Sequence, residues 1–175
     1  FNLLFLFLWQ VSFAQQTILS DSNLPIMLIS TDIDPDTNTP TDIPDEPKVL
    51  ANMRLIYRPD GTRNYLTDST NESFLNYKGR IGIELRGSSS QALDKKPYGF
   101  TTLLDDDDSN NNVSLLGMPS ENDWVLNSLA YDPSMIRDYL SYTLASNTGN
   151  YAPRVAYIEV IVNGDYKGVY FLTEK

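Results

Sequence analysis

Apolar and polar positions alternate along much of this chain, and the alternation falls into short runs. Residues 24–30 (LPIMLIS) form an apolar run that predicts a first strand. Residues 49–57 alternate and predict a second strand, with Asp60-Gly61 as the turn after it. A polar stretch over residues 62–78 leads to a strand at 80–86, and residues 98–104 (YGFTTLL) predict another. Residues 115–119 (LLGMP) close into a turn ahead of the apolar run 123–126 (DWVL). One segment has a helical period: Asp132 suits an N-cap, Pro133 suits the first helical position, and Ile136, Tyr139, Leu140, Thr143 and Leu144 recur at 3.6-residue spacing. Asn147 and Gly149 supply its stop. Residues 155–162 and 166–173 flank Asn163-Gly164-Asp165, a hairpin signal. The order of antiparallel strands, one main helix and a final hairpin predicts an α+β fold, and no internal repeat is visible.

Composition narrows the chemistry. A chain of 175 residues suits one domain with tails, and a 41% hydrophobic content with 11 tyrosines is enough to build a core. The net charge of −10 disfavours a nucleic-acid partner, which needs a broad basic face, and also disfavours docking on anionic lipid. There is no cysteine and no histidine, which removes disulfides, thiolate or imidazole zinc sites and His-based catalytic triads. Any reaction must therefore use carboxylates, Lys, Arg, hydroxyls or an oxygen-ligated cation such as Mg²⁺ or Ca²⁺.

Residues 1–13 (FNLLFLFLWQVSF) are almost wholly apolar and are followed by Ala14, which predicts part of a secretory signal peptide over residues 1–14. The run is shorter than the ~20 residues of a membrane-spanning helix, so no transmembrane segment is expected beyond it and a secreted or cell-surface location is expected. Residues 168–175 end on a strand-like run, so the chain is read as a fragment of a longer exported protein. Within residues 15–47, the first strand is followed by an Asp/Thr/Pro-rich loop. Asp32, Asp34 and Asp36 open that loop like a calcium site, but no glycine stands at the sixth position and Ile43 stands at the twelfth, so a solvated loop is expected. The run 105–112 (DDDDSNNN) is expected to be a solvated hairpin tip or insertion.

The most chemically suggestive stretch is Arg86-Gly87-Ser88-Ser89-Ser90-Gln91, followed by Lys95-Lys96-Pro97-Tyr98. A glycine, three hydroxyls and three cations leave a predicted strand together. Such a turn can offer N–H groups and hydroxyls to an anion while Arg86, Lys95 and Lys96 supply countercharge, and phosphate is the anion proposed.

In order along the chain, Ile83 to Gln91, Lys95 to Tyr98, Leu115 to Pro119, Asp123 to Leu126, Ser134 to Asp138, Tyr151 to Arg154 and Glu159 to Tyr170 resemble the spore-coat-protein-H (CotH) kinase family. The version with Asp45-Glu46-Pro47-Lys48 ahead of these blocks resembles exported bacterial homologues, implying a bacterial extracytoplasmic location. The resemblance implies that residues 48–175 are the N-terminal portion of an atypical protein-kinase-like domain. It further implies a secreted kinase that transfers phosphate from ATP, with Mg²⁺, to exported proteins. Phosphoryl transfer suits the residue inventory because it needs positioning and charge neutralisation rather than a nucleophilic triad. On that basis Lys96 is the first candidate for the phosphate contact and Lys95 the second. Arg86, Ser88, Ser89 and Ser90 would line the same site, Glu174 would orient the lysine, and Trp124 or Tyr98 would stack on the base. The family's catalytic and metal-binding aspartates are expected downstream of Lys175, so no catalytic or metal residue is named and this chain alone is expected to be inactive.

Structural readings of the same residues stand beside these. Arg86 can pair with Glu84, Lys96-Pro97 can break an edge strand, Trp124 can be core, and Arg137-Asp138 can pair at the surface or tie the helix to the sheet. The alternative function is a non-catalytic exported binding or surface-assembly module, or a pseudokinase that kept the scaffold without its aspartates.

Overall fold

A computed structural model describes residues 18–175; the predicted signal peptide lies outside the described residues. Seven strands form the body: β1 (Ile26–Thr31), β2 (Val49–Ile56), β3 (Leu75–Leu85), β4 (Tyr98–Leu103), β5 (Asp123–Asn127), β6 (Val155–Val162) and β7 (Asp165–Glu174). One helix, α1 (Arg137–Asn147), connects β5 to β6. The sheet order is β6-β7-β5-β4-β3-β2-β1, and parallel pairing of β1 with β6, Val160 opposite Met27, closes it into a barrel. All other neighbours are antiparallel. The strand-rich, one-helix expectation holds, and closure adds the feature that local pattern does not contain.

Alternation explains the interior. Met27, Met53, Ile81, Phe100, Trp124 and Leu172 belong to one buried cluster, and Ile26, Ile56 and Ile161 form a second, smaller one. Burying an alternating face removes apolar area from water on every strand, and closure abolishes sheet edges. β3 starts at Leu75, five residues before the expected start, because Leu75 and Tyr77 already alternate with outward Asn76 and Lys78. The final hairpin turns through Asn163 (φ 51°) and Gly164 (φ 80°), both in the left-handed region that a two-residue turn of this hand requires. Asn163 also ties the turn to the seam: its Oδ1 accepts from Thr31 N at 2.9 Å and its Nδ2 donates to Thr31 Oγ1 at 3.0 Å.

The helix departs from expectation. Asp132 first caps a tight turn, accepting from Ser134 N at 3.1 Å and Ser134 Oγ at 2.6 Å, and Met135 then adopts φ 57°. The helix begins only at Arg137, whose N–H donates to Asp132 Oδ2 at 2.9 Å. No helical residue is buried, and Ile136, Leu140 and Leu144, which carry the helical period, are 49%, 49% and 63% exposed. The acidic loops are anchored by one cation: Arg80 donates to both oxygens of Asp32, at 2.8 and 2.6 Å, and to Asp107 at 2.5 Å. Among the described residues no helix is long and apolar enough to cross a membrane.

Candidate functional site

The Ser-rich turn leaves the barrel where β3 ends. Its neck is closed by Arg86 N donating to Pro97 O at 3.0 Å. Gly87 sits at φ 88°, and a β-carbon there would collide with the Ser90 hydroxyl, so the tight turn requires glycine. A short 3₁₀ turn, Ser89–Ala92, follows. The Gln91 amide folds back to donate to Gly87 O at 2.6 Å and to Asp45 Oδ1 at 2.5 Å.

This turn forms one wall of a cleft of about 600 Å³, within the ~300–1,000 Å³ usual for small-molecule sites. Arg86, Gly87, Ser89 and Ser90 line that wall; Pro97, Val125 and Asn127 lie along the strands; Ser128 to Asp132, Arg137 and Asp138 form the opposite wall. The Tyr131 hydroxyl joins the walls by donating to Ser89 O at 3.2 Å. Among the described residues the Arg86 guanidinium makes no hydrogen bond or ion pair, and its stem lies over Gly99 beside the Glu84 side chain. Arg137, 75% exposed at its side chain, stands 3.4 Å from Asp132. The Ser134 hydroxyl, then the Arg137 N–H, hold the Asp132 carboxyl below the usual carboxylate range. Asp138 Oδ2 accepts from Asn127 Nδ2 at 3.1 Å. Both cleft carboxylates are thus already engaged, while Arg86 remains free to meet an anion.

Alongside, a polar row runs over the outer face of β3, β4 and β5. Lys48 contacts Thr101, Asp123 at 3.4 Å and Glu84 at 4.0 Å. Burial works against the charge on Asp123, but the Thr101 hydroxyl, Lys48 and Lys175 outweigh it and hold that carboxyl below the usual range.

The structure separates the residues that the sequence grouped. Lys96 does not line the cleft: its ammonium donates to Gln91 O at 2.6 Å, and it borders a second depression of about 490 Å³ with Asp42, Tyr98 and Lys167. Lys95 donates to Val169 O at 2.5 Å and lies 4.6 Å over the Tyr170 ring, with burial pushing its pKa down. Arg86, Ser89 and Ser90 do come together, and exposed Ser88 precedes the 3₁₀ turn outside the cleft lining. Glu174 lies on the barrel's inner face opposite Trp124; its Oε1 accepts from the Tyr151 hydroxyl and Arg154 N, both at 3.2 Å, so no lysine is oriented by it. Its Oε2 is buried without a partner among the described residues. Trp124, 1% exposed, donates its indole N–H to Glu121 O, and Tyr98, 5% exposed, stacks on Tyr170 at 6.0 Å. In this arrangement both rings are interior and neither borders the cleft.

The polar cleft residues Asn127, Arg137 and Asp138 are among those that sequence reasoning did not assign to a site. Arg137-Asp138 was visible as a charged pair at the start of the helical pattern, but nothing local told which strand it would meet.

No curated protein matches the chain. The family model described as CotH kinase protein matches residues 83–175, which is more than half of the chain. The match starts within β3 and takes in the Ser-rich turn, β4, β5, α1 and the final hairpin, so every wall of the cleft lies inside it. The chain belongs to the CotH kinase protein family.

Proposed function

We propose that this chain carries the nucleotide-phosphate grip of an exported kinase, with the cleft between the Ser-rich turn and α1 as the phosphate site. The carrying observation is the free Arg86 guanidinium beside the Gly87–Ser90 turn, facing Arg137 across one cleft. Two guanidinium groups can neutralise a polyphosphate, and turn N–H groups and hydroxyls add directed donors. The element order supports the reading by analogy. Protein kinases run from a strand into a phosphate-covering turn, through two further strands, and into a helix that bears an acidic partner. Here β3, the Ser-rich turn, β4, β5 and α1 follow in that order.

The donor set suits the triphosphate of ATP better than its metal. Among the described residues no group of three acidic side chains converges on a point, so no ligand for Mg²⁺ is assigned. When bound, ATP would supply the phosphoryl group, while Arg86, Arg137 and the Ser-rich turn would hold and orient its phosphates. The acceptors proposed are exported proteins.

Calorimetric titration with ATP tests the site. Arg86→Ala is expected to weaken ATP about tenfold, the scale of one lost charge-assisted contact. Lys96→Ala is expected to do less, because its ammonium is spent on Gln91 O. Equal ATP affinity in Arg86→Ala and the parent chain would overturn the assignment, and a parent chain that binds no nucleotide would leave the binding-module reading.

A further inference from the structure

We propose that Asn127 is a positioning residue that latches α1 to the barrel and so sets Arg137 against the phosphates; the proposal rests on the kinase reading above. Asn127 closes β5 and is locked in the sheet opposite Phe171. Its side chain then reaches out in two directions. Oδ1 accepts from Leu129 N at 3.0 Å, and Nδ2 donates to Asp138 Oδ2 at 3.1 Å. Leu129 is buried at φ 56°, a conformation that is unusual for leucine and needs such support. One amide thus holds both the wall segment of the cleft and the first turn of the helix.

Few other contacts restrain that helix among the described residues. None of its residues is buried; Asp132 holds its first N–H and the Arg137 guanidinium, and Tyr157 donates its hydroxyl to Met135 O and stacks its ring on Tyr139 at 6.0 Å. Arg137 directly precedes Asp138, so releasing the Asn127–Asp138 bond leaves the cleft's second guanidinium tethered through Asp132 alone and free to shift with the helix.

The position has a counterpart in kinase chemistry. There the third strand carries a lysine that grips phosphate, and the following helix carries the acid that orients it. In this chain the strand position holds an amide and the helix position an aspartate. The pair can orient the helix, but it contributes no positive charge. Phosphate neutralisation therefore falls on Arg86 and Arg137, and the pair acts through Arg137.

Asn127→Asp isolates the effect. It keeps the acceptor for Leu129 N, loses the donor to Asp138, and sets two carboxylates against each other. ATP affinity is expected to fall about tenfold or more, while adenosine affinity, which needs neither arginine, changes less than about twofold. Adding Asp138→Asn restores a donor–acceptor pair in the reverse sense and should return ATP affinity to within about threefold of the parent. A purely structural role would weaken both ligands alike. A double variant as weak as the single one, or a single variant that binds ATP like the parent, overturns the proposal. Amide hydrogen exchange gives a readout that needs no nucleotide: residues 137–140 should lose protection in Asn127→Asp and regain it in the double variant. If the parent binds no ATP, the kinase reading fails on its own. Unchanged exchange in Asn127→Asp would separately sink the latch.

Discussion

Trp124 offers the clearest separation between a residue of the fold and a residue of the site. As a platform for a nucleotide base it would have to reach the cleft, yet it is 1% exposed and belongs to the barrel's interior cluster. A buried tryptophan removes about 150–250 Å² from water, which at ~25 cal/mol per Å² sets an upper bound of roughly 4–6 kcal/mol. Truncations of this size cost about 3–5 kcal/mol, so Trp124→Ala should lose about 4 kcal/mol. At about 2–4 °C per kcal/mol for a chain of this length, the melting temperature falls by roughly 8–16 °C. Trp124→Phe keeps most of the ring but loses the N–H donated to Glu121 O. It should cost about 1–2 kcal/mol, or roughly 2–8 °C. Melting followed by circular dichroism, with ATP titration of the folded Phe variant, distinguishes the roles. ATP affinity should stay within about twofold of the parent. A Phe variant that melts like the parent but binds ATP tenfold more weakly would refute the placement of this ring in the core.

Three further outcomes test the surrounding structure. Gly87→Ala forces a β-carbon onto the Ser90 hydroxyl at φ 88°, so about 1–2 kcal/mol of strain should appear as a lower melting temperature and weaker ATP binding. Asn163→Ala removes the side-chain bonds to Thr31 at the seam between β1 and β6; urea denaturation should show a loss of about 1–3 kcal/mol, and a smaller loss would mean that the seam does not depend on this side chain. The paired N–H donors of Arg80 lower the Asp32 pKa in the fold, so their stabilisation is fully present above about pH 4 and is lost as pH falls through the lower folded value. Arg80→Met should therefore destabilise the protein at pH 7 and match the parent more closely near pH 2; a constant difference across that range would refute the pairing.

Local chemistry was legible where one segment decided it. The hairpin from Val155 to Glu174 follows from alternation on both sides of Asn163-Gly164, since those two residues favour the left-handed turn whatever surrounds them. The helix start was misread because Asp132 is a good cap for any turn. It caps the tight turn over Ser134 first, and the left-handed Met135 delays the helix to Arg137. The exposed apolar stripe of Ile136, Leu140 and Leu144 has a helical period without burial, which periodicity cannot distinguish from a packed face.

The site divides in the same way. Arg86, Gly87, Ser89 and Ser90 could be grouped from sequence because they lie close together in the chain and share one turn. Lys95 and Lys96 were grouped with them on proximity in the chain, but their ammonium groups turn to the carbonyls of Val169 and Gln91. By itself the sequence determined the alternating strands, the hairpin and a cationic hydroxyl-rich turn, because period, turn conformation and charge are written in neighbouring residues. Only the tertiary structure decided that β1 would pair in parallel with β6, more than a hundred residues away, and that Asn127 and Asp138 would meet beside Arg86. Those outcomes depend on register and closure between distant segments, which the collective burial of one barrel interior selects and no local pattern encodes.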